Sequence, residues 1–505
     1  MTIPTLANPV LPSPKINTRR AAPTEASLSK FDAVLLLHNL PDEQLKSSLP
    51  LGAELATVAT RKPGSQLSIT MPGKQSTLLI ALRLKEMTDT FQLETACRNA
   101  AKQAIGSGAR SIAIVIHDDS IKQHTNVVQA AVATLCMADF ALPKFTKKKR
   151  PSKSELKVTI FEPKKSPLKS VIAAARGNCL ARWLSAAPPN LLDAVGYRNI
   201  AEKMARDHRW KYQFHSLAKL KRKGAGAFVA VAQGNENNDA GIVQLTRKAS
   251  GKSARKKIAL VGKGIIFDTG GTNLKPHNGM LNMHIDMGGS AVALGSLLAL
   301  SEIDVPFDLE VWLAITENRT GPQAFKPQDV VTSLSGKTIQ TIHTDAEGRM
   351  VLADTLTMAG RNKPDAILDF ATLTGACVTA VTSQYSGVFS NRSALHPILK
   401  RAGVASGERV WPFPIGGDFL DNLKSETADI MQCPISGAGD HILAATFLEQ
   451  FVPRGIPWVH MDLSACENNG GLGGVDTTIT GFGVRYTTHL LLNHMTDIIK
   501  AGRRS

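Results

Sequence analysis

Two short stretches carry more reactive side chains than their apolar surroundings require. In "VGKGIIFDTGG", Lys263 and Asp268 stand five residues apart at the end of an apolar run. In "HTDAEGRM", Asp345, Glu347 and Arg349 recur at spacing two. Between the two stretches lie Lys275 and the Asp286 of "MHIDMGGSA". Taken singly, each has an ordinary reading. Asp286 suits a helix N-cap, Lys263 a surface lysine, and the Asp345–Glu347–Arg349 set an exposed salt-bridge cluster. Taken together they do not, because carboxylates gathered in one place repel unless cations bind them. Hard oxygen ligands suit Mn²⁺ or Mg²⁺ and are acceptable to Zn²⁺. A two-metal hydrolytic centre, with water activated between the ions, accounts for the whole set.

Such a centre needs elements to hold it. "KIALVGKGIIFD", "LEVWLAITE", "DAILDFATL" and "PWVHMDL" are apolar strand candidates, and "SAVALGSLLALSEI" and "YTTHLLLNHMTDIIKAG" read as helices. Lys263 and Asp268 are therefore expected on the rim of a sheet, where strand carboxyl ends bind ligands. If "HTDAEGRM" is extended, its three charged residues point to one side. Upstream, "KFDAVLLLHN", "TLLIALRLK", "SIAIVIHDD" and "LKVTIFEP" alternate with the helical "ACRNAAKQAIGSGA" and "NVVQAAVATLCMADF". The alternation predicts an α/β fold with two domains, each a largely parallel or mixed sheet flanked by helices. Residues 1–30 read as a disordered leader, 31–165 as the first α/β domain and 166–505 as the catalytic domain.

Composition fits this class. The 505 residues exceed one core. No run of about 18 apolar residues is present to suggest a membrane span. The six cysteines form no CxxC pair and read as reduced thiols of a cytoplasmic protein. The net charge of +17 is concentrated in residues 144–169 and 247–257, and only +3 remains without them. These segments permit nucleic-acid binding, but a solvated linker and loop are the favoured reading. No GxxxxGK[ST], HExxH or GxSxG motif occurs.

The residues around the charged clusters resemble the leucine aminopeptidase (cytosol aminopeptidase) family of dimetal exopeptidases. The likeness runs through "VGKGIIFDTGGTNLKP", "MHIDMGGSA", "SGKTIQTIHTDAEGRMVLADTL", "ATLTGA", "GAGDHILAATFLEQFV", "WVHMDLSA" and "GFGVR", roughly residues 170 to 490. The resemblance implies an aminopeptidase acting on peptides with a free N-terminus, with leucine-type preference. It implies two divalent metal ions per subunit, Mn²⁺ or Zn²⁺. Lys263, Asp268, Asp286, Asp345 and Glu347 would be their ligands. Asp268 and Glu347 would bridge the ions, Lys263 and Asp286 would complete one site, and Asp345 the other. Lys275 and Arg349 would be the catalytic pair, with bicarbonate held at Arg349. Met283, Thr372 and Gly375 would line the pocket for the first side chain. A homohexamer is also implied.

Two positions depart from the family's pattern. His343 stands where an asparagine is usual, and His284 where a basic residue is usual. Packed or hydrogen-bonded histidines are the favoured reading over extra ligands. The alternative function is a non-catalytic or moonlighting DNA-binding or scaffold member of the same family.

Overall fold

A computed structural model of the chain describes residues 6–39, 66–71, 76–84, 87, 89–117, 124–146, 154–162, 165–250 and 256–502. Two large sheets organise it. The first contains β1 (Lys15–Arg19), β2 (Ala33–His38), β3 (Gln66–Met71), β4 (Thr77–Arg83), β5 (Ser111–His117) and β6 (Lys157–Phe161). Their order is β1-β6-β5-β2-β4-β3, parallel except for the edge strand β3. Strand β1 corrects the expectation of a disordered leader. Residues 15–19 pair in register with β6, and the backbone ladder orders a segment that has no apolar run of its own.

The second sheet is built from β7 (Lys211–Ser216), β8 (Gly241–Arg247), β9 (Lys257–Asp268), β10 (Asp308–Asn318), β13 (Ala366–Ala371), β14 (Ser386–Ser390), β15 (Val410–Pro412) and β17 (Trp458–Asp462). Three further short strands, β11 (Val330–Thr332), β12 (Thr338–Gln340) and β16 (Ile430–Met431), form a small separate sheet. The order of the large sheet is β15-β14-β17-β13-β9-β10-β8-β7. Its four central strands, β17, β13, β9 and β10, are parallel. These strands are buried on both faces, which is why they read as continuous apolar runs rather than alternating ones.

Helices cover the sheets. Lys169–Ser185 packs against both His124–Asp139 of the first layer and Gly288–Ile303 of the second. Through these contacts one apolar cluster runs from Ile80 and Ile114 to Leu294 and Phe370 without interruption. Within His277–Ile303 one 18-residue window is apolar enough by composition to cross a membrane, but 89% of that window is buried inside the protein, where Gly288–Ile303 serves as a core helix. The lysine-rich stretch 147–153 lies outside the described residues. In the second basic segment, Arg247 pairs with Asp304, Lys248 with Asp308, Lys256 with Asp365 and Lys257 with Glu310. These four cations are therefore partnered by acids brought from distant sequence.

Candidate active site

The central strands end at different heights, and that stagger creates the site. Phe370 of β13 is level with Gly262 of β9, so Lys263 lies level with Ala371, the last residue of β13. Strand β9 then continues alongside β10 as far as Asp268, opposite Asn318. Lys263 is thus within its strand, yet at the rim of the neighbouring one. Its Nζ donates to the carbonyl of Thr372, just past β13, at 2.8 Å.

The other charged residues arrive from separate elements. Asp286 sits in the 3₁₀ turn Met283–Met287 that leads into helix Gly288–Ile303. Glu347 opens the helix Glu347–Arg361. The extended reading of "HTDAEGRM" is therefore corrected: Asp345 precedes a helix, and Glu347 and Arg349 are about 200° apart around it. Glu347 turns inward to Lys263, whereas Arg349 turns to Asp440, Nη2 to Oδ2 at 2.8 Å. Helix formation wins here because the following "VLADTLTMAG" is buried over its whole length, with Val351, Leu352, Leu356 and Met358 packed into the core.

Lys263 Nζ lies 2.9 Å from Asp286 Oδ1 and 2.9 Å from Glu347 Oε1. Lys275 Nζ lies 3.0 Å from Asp268 Oδ2 and also pairs closely with Asp345. Lys263, Asp268, Asp286, Glu347 and Arg349 are each no more than 5% exposed. The ligand atoms of Asp268, Asp286 and Glu347 all fall within 4.8 Å of one another. Asp286 Oδ2 and Glu347 Oε2 are buried without a hydrogen-bond partner. Three converging carboxylates, two of them with an unsatisfied oxygen, and a neighbouring amine are the donor set a divalent cation requires, so the residues present fit a metal.

The electrostatics show the same concentration of charge. Burial pushes the Asp286 carboxyl up to about 6 against the opposing pull of Lys263. Glu347 is raised well above its usual range by burial and by Asp268, and Asp345 is raised by the same two causes. Burial alone would lower the Lys263 ammonium, but Asp286, Glu347 and Asp268 outweigh it and raise its pKa. In the metal-free chain the two lysines therefore act as the counter-ions of the acidic floor.

Several residues that sequence reasoning did not single out hold this geometry. Asn318 Nδ2 donates to Asp268 Oδ1 at 2.8 Å, and Gly270 N donates to the same oxygen at 2.8 Å. Gly270 has φ +87°, and a Cβ there would collide with the Asn273 carbonyl, so glycine is required at the bend. Thr344 and Asn273 staple the two charged loops together: Thr344 Oγ1 accepts from Asn273 N at 2.8 Å, and Thr344 N donates to Asn273 Oδ1 at 2.9 Å. Gln432 binds the backbone of Ile342, His343 and Ala346. The signal for Asp440 was present in "GAGDHILAATFLEQFV". The rest are polar residues whose spacing carries no motif.

Lys263, Asp268, Lys275, Asp286, Asp345 and Arg349 line a cleft of about 640 Å³. Met283, Thr372 and Gly375 are on its wall, together with Val378, Ser383 and Glu467. Thr372 Oγ1 donates to Asp286 Oδ1 at 2.7 Å. His343 lines the cleft and its Nδ1 accepts from Asp345 N at 3.3 Å. His284 is half-buried, and burial lowers its pKa.

The comparisons agree with one another. The catalytic-domain model of the cytosol aminopeptidase family matches residues 179–488. A protein of Parasynechococcus marenigrum named "Probable cytosol aminopeptidase" is 35% identical over 91% of this chain and 95% of its own. A similarly named protein of Stutzerimonas stutzeri is 34% identical over 86% and 89%. Among solved structures, a tomato leucine aminopeptidase variant superposes with a TM-score of 0.85 at 26% identity, covering 96% of this chain and 98% of that one. The bottromycin maturation enzyme BotP, solved in complex with Mn, gives 0.79 at 28% identity over 91% and 99%. A Leishmania major leucyl aminopeptidase in complex with actinonin gives 0.79 at 26% identity over 95% of each chain. With the family match spanning most of the chain and these relatives covering nearly all of it, the chain belongs to the cytosol aminopeptidase family and is a hydrolase of the exopeptidase type.

Proposed function

We propose that this protein is a metal-dependent aminopeptidase that removes leucine-type residues from peptides with a free N-terminus, using two divalent ions. The observation that carries this reading is the convergence of Asp268, Asp286 and Glu347 around Lys263 at the strand ends, with two carboxylate oxygens left unsatisfied. Asp268 and Glu347 would bridge the ions, Lys263 and Asp286 would complete one site, and Asp345 the other. When bound, Mn²⁺ or Zn²⁺ supplies a Lewis acid for the scissile carbonyl and makes water a nucleophile near neutral pH.

The chain's own groups supply the remainder. Lys275, which pairs with Asp268 and Asp345, would donate to the oxyanion that develops during attack. Arg349 is always charged and accepts no proton. Its guanidinium is anchored through Asp440 and the Gln432 carbonyl, while its Nε is buried without a partner. That leaves a donor to hold an anion, and bicarbonate there would serve as the proton acceptor. Met283, Thr372 and Gly375 would receive the first side chain. The acidic floor suits the substrate's α-amino group, and acylation of that group removes its ability to bind there.

The test is hydrolysis of leucyl substrates, free and N-acetylated, by metal-stripped protein with Mn²⁺, Zn²⁺ or Mg²⁺ added back. Activity restored by metal and confined to the free amine is expected. Equal cleavage of blocked and free substrates would sink the reading.

A further inference from the structure

The wall of the cleft carries one acidic side chain that the chemistry described above does not use. Glu467 lies in the turn that follows β17, and its backbone is fixed on both sides. It bridges to Ile479, and the next residue, Asn468, donates through Nδ2 to the carbonyl of Ser383 at 2.8 Å and to its Oγ at 3.0 Å. Glu467 is half-buried and lines the same cleft as Ser383, Val378, Met283, Thr372 and Gly375. Among the described residues nothing donates a hydrogen bond to its carboxylate or forms an ion pair with it.

The cations of the same cleft are all engaged elsewhere. Lys263 faces Asp286 and Glu347, Lys275 faces Asp268 and Asp345, and Arg349 faces Asp440. Burial raises the Glu467 carboxyl above its usual range, with no opposing charge close enough to lower it. A half-buried carboxylate without a partner is unfavourable in the empty protein. An arriving cation would relieve that cost.

We propose that Glu467 is a specificity-determining residue that lets the first-side-chain pocket accept lysine and arginine as well as leucine-type residues. This rests on the aminopeptidase reading and extends its substrate class. Lysine and arginine carry aliphatic stems with the charge at the tip. The stem would lie along Met283 and the exposed Val378, as a leucine side chain would, and the ammonium or guanidinium would reach the Glu467 carboxylate. Ser383 Oγ, which accepts from Asn468 Nδ2 and keeps its own proton free of that bond, lines the same cleft and would offer a further polar contact.

The comparison that isolates the charge is lysyl against norleucyl p-nitroanilide, because the two side chains share the same four-carbon stem. With the metal-loaded full chain, Glu467→Gln should lower the lysyl-to-norleucyl ratio of kcat/KM by about tenfold, mostly through KM. The ratio cancels any general damage to the centre. Glu467→Lys should go further and favour glutamyl over lysyl p-nitroanilide. A lysyl-to-norleucyl ratio unchanged in both variants would overturn the assignment of Glu467 while leaving the aminopeptidase reading intact. A wild-type protein that hydrolyses none of these substrates after metal addition would remove both.

Discussion

Gly348 and Lys263 press against each other at the base of the cleft. A Cβ on Gly348 would stand 2.6 Å from Lys263 Cε and 2.7 Å from its Nζ. The second residue of the helix Glu347–Arg361 therefore has no side chain, because the lysine occupies that space. Gly348→Ala should cost little stability, since alanine favours a helix by about 1 kcal/mol over glycine. It should lower kcat/KM by about 100-fold, because a displaced amine misaligns the centre. Near-normal turnover with an unchanged melting temperature would show that Lys263 can move without consequence.

Lys263→Arg keeps the positive charge and removes the lone pair that an amine can offer a metal. Metal content by mass spectrometry should fall from two ions per chain towards one or none, and activity should drop by orders of magnitude. Two ions with near-normal activity would take Lys263 out of the ligand set.

Lys275→Ala should separate binding from chemistry. If this ammonium stabilises the oxyanion, kcat should fall by about 100- to 1,000-fold. The metal content and the KM for leucyl substrates should change far less. A loss confined to KM would assign Lys275 to substrate capture instead.

Glu408 offers a pH test away from the centre. It is fully buried, and its Oε2 accepts from Gly483 N at 2.9 Å and Tyr486 N at 2.8 Å. Burial pushes its carboxyl up from 4.5 to about 7, with Arg485 opposing and Glu94 adding. The folded state thus holds this proton more tightly than the unfolded chain does. Its stabilising effect is complete below pH 4.5 and is lost as pH rises through 7, a difference of about 3 kcal/mol at most. Melting curves of wild type and Glu408→Gln from pH 5 to 8 should therefore diverge in favour of the variant at the upper end. Parallel curves would show that Glu408 titrates normally.

The aminopeptidase reading carries an assembly with it. Light scattering should give six chains per particle, with activity falling on dilution to smaller species. A fully active monomer would contradict the expected homohexamer.

Much of the protein was legible from local pattern. Continuous apolar runs such as "KIALVGKGIIFD" and "DAILDFATL" marked buried parallel strands, and proximity to strand ends marked the charged residues. Pattern misled where pairing or packing overrode it. Residues 15–19 gave no apolar signal and became a strand by pairing with β6. "HTDAEGRM" alternated like a strand, but its second half entered a helix because the following turns are buried throughout.

Chain order alone sets which residue types follow one another: the lysines and carboxylates, the glycines between them and the apolar strands before them. Those are properties of neighbours along the chain. It takes the folded chain to bring Lys263 to Asp286 and Glu347, to tie the loops together through Thr344 and Asn273, and to turn Arg349 away to Asp440. The reason is the stagger of the central strands. Register set by backbone pairing brings a mid-strand lysine level with the end of its neighbour, and no spacing within one segment encodes that distance.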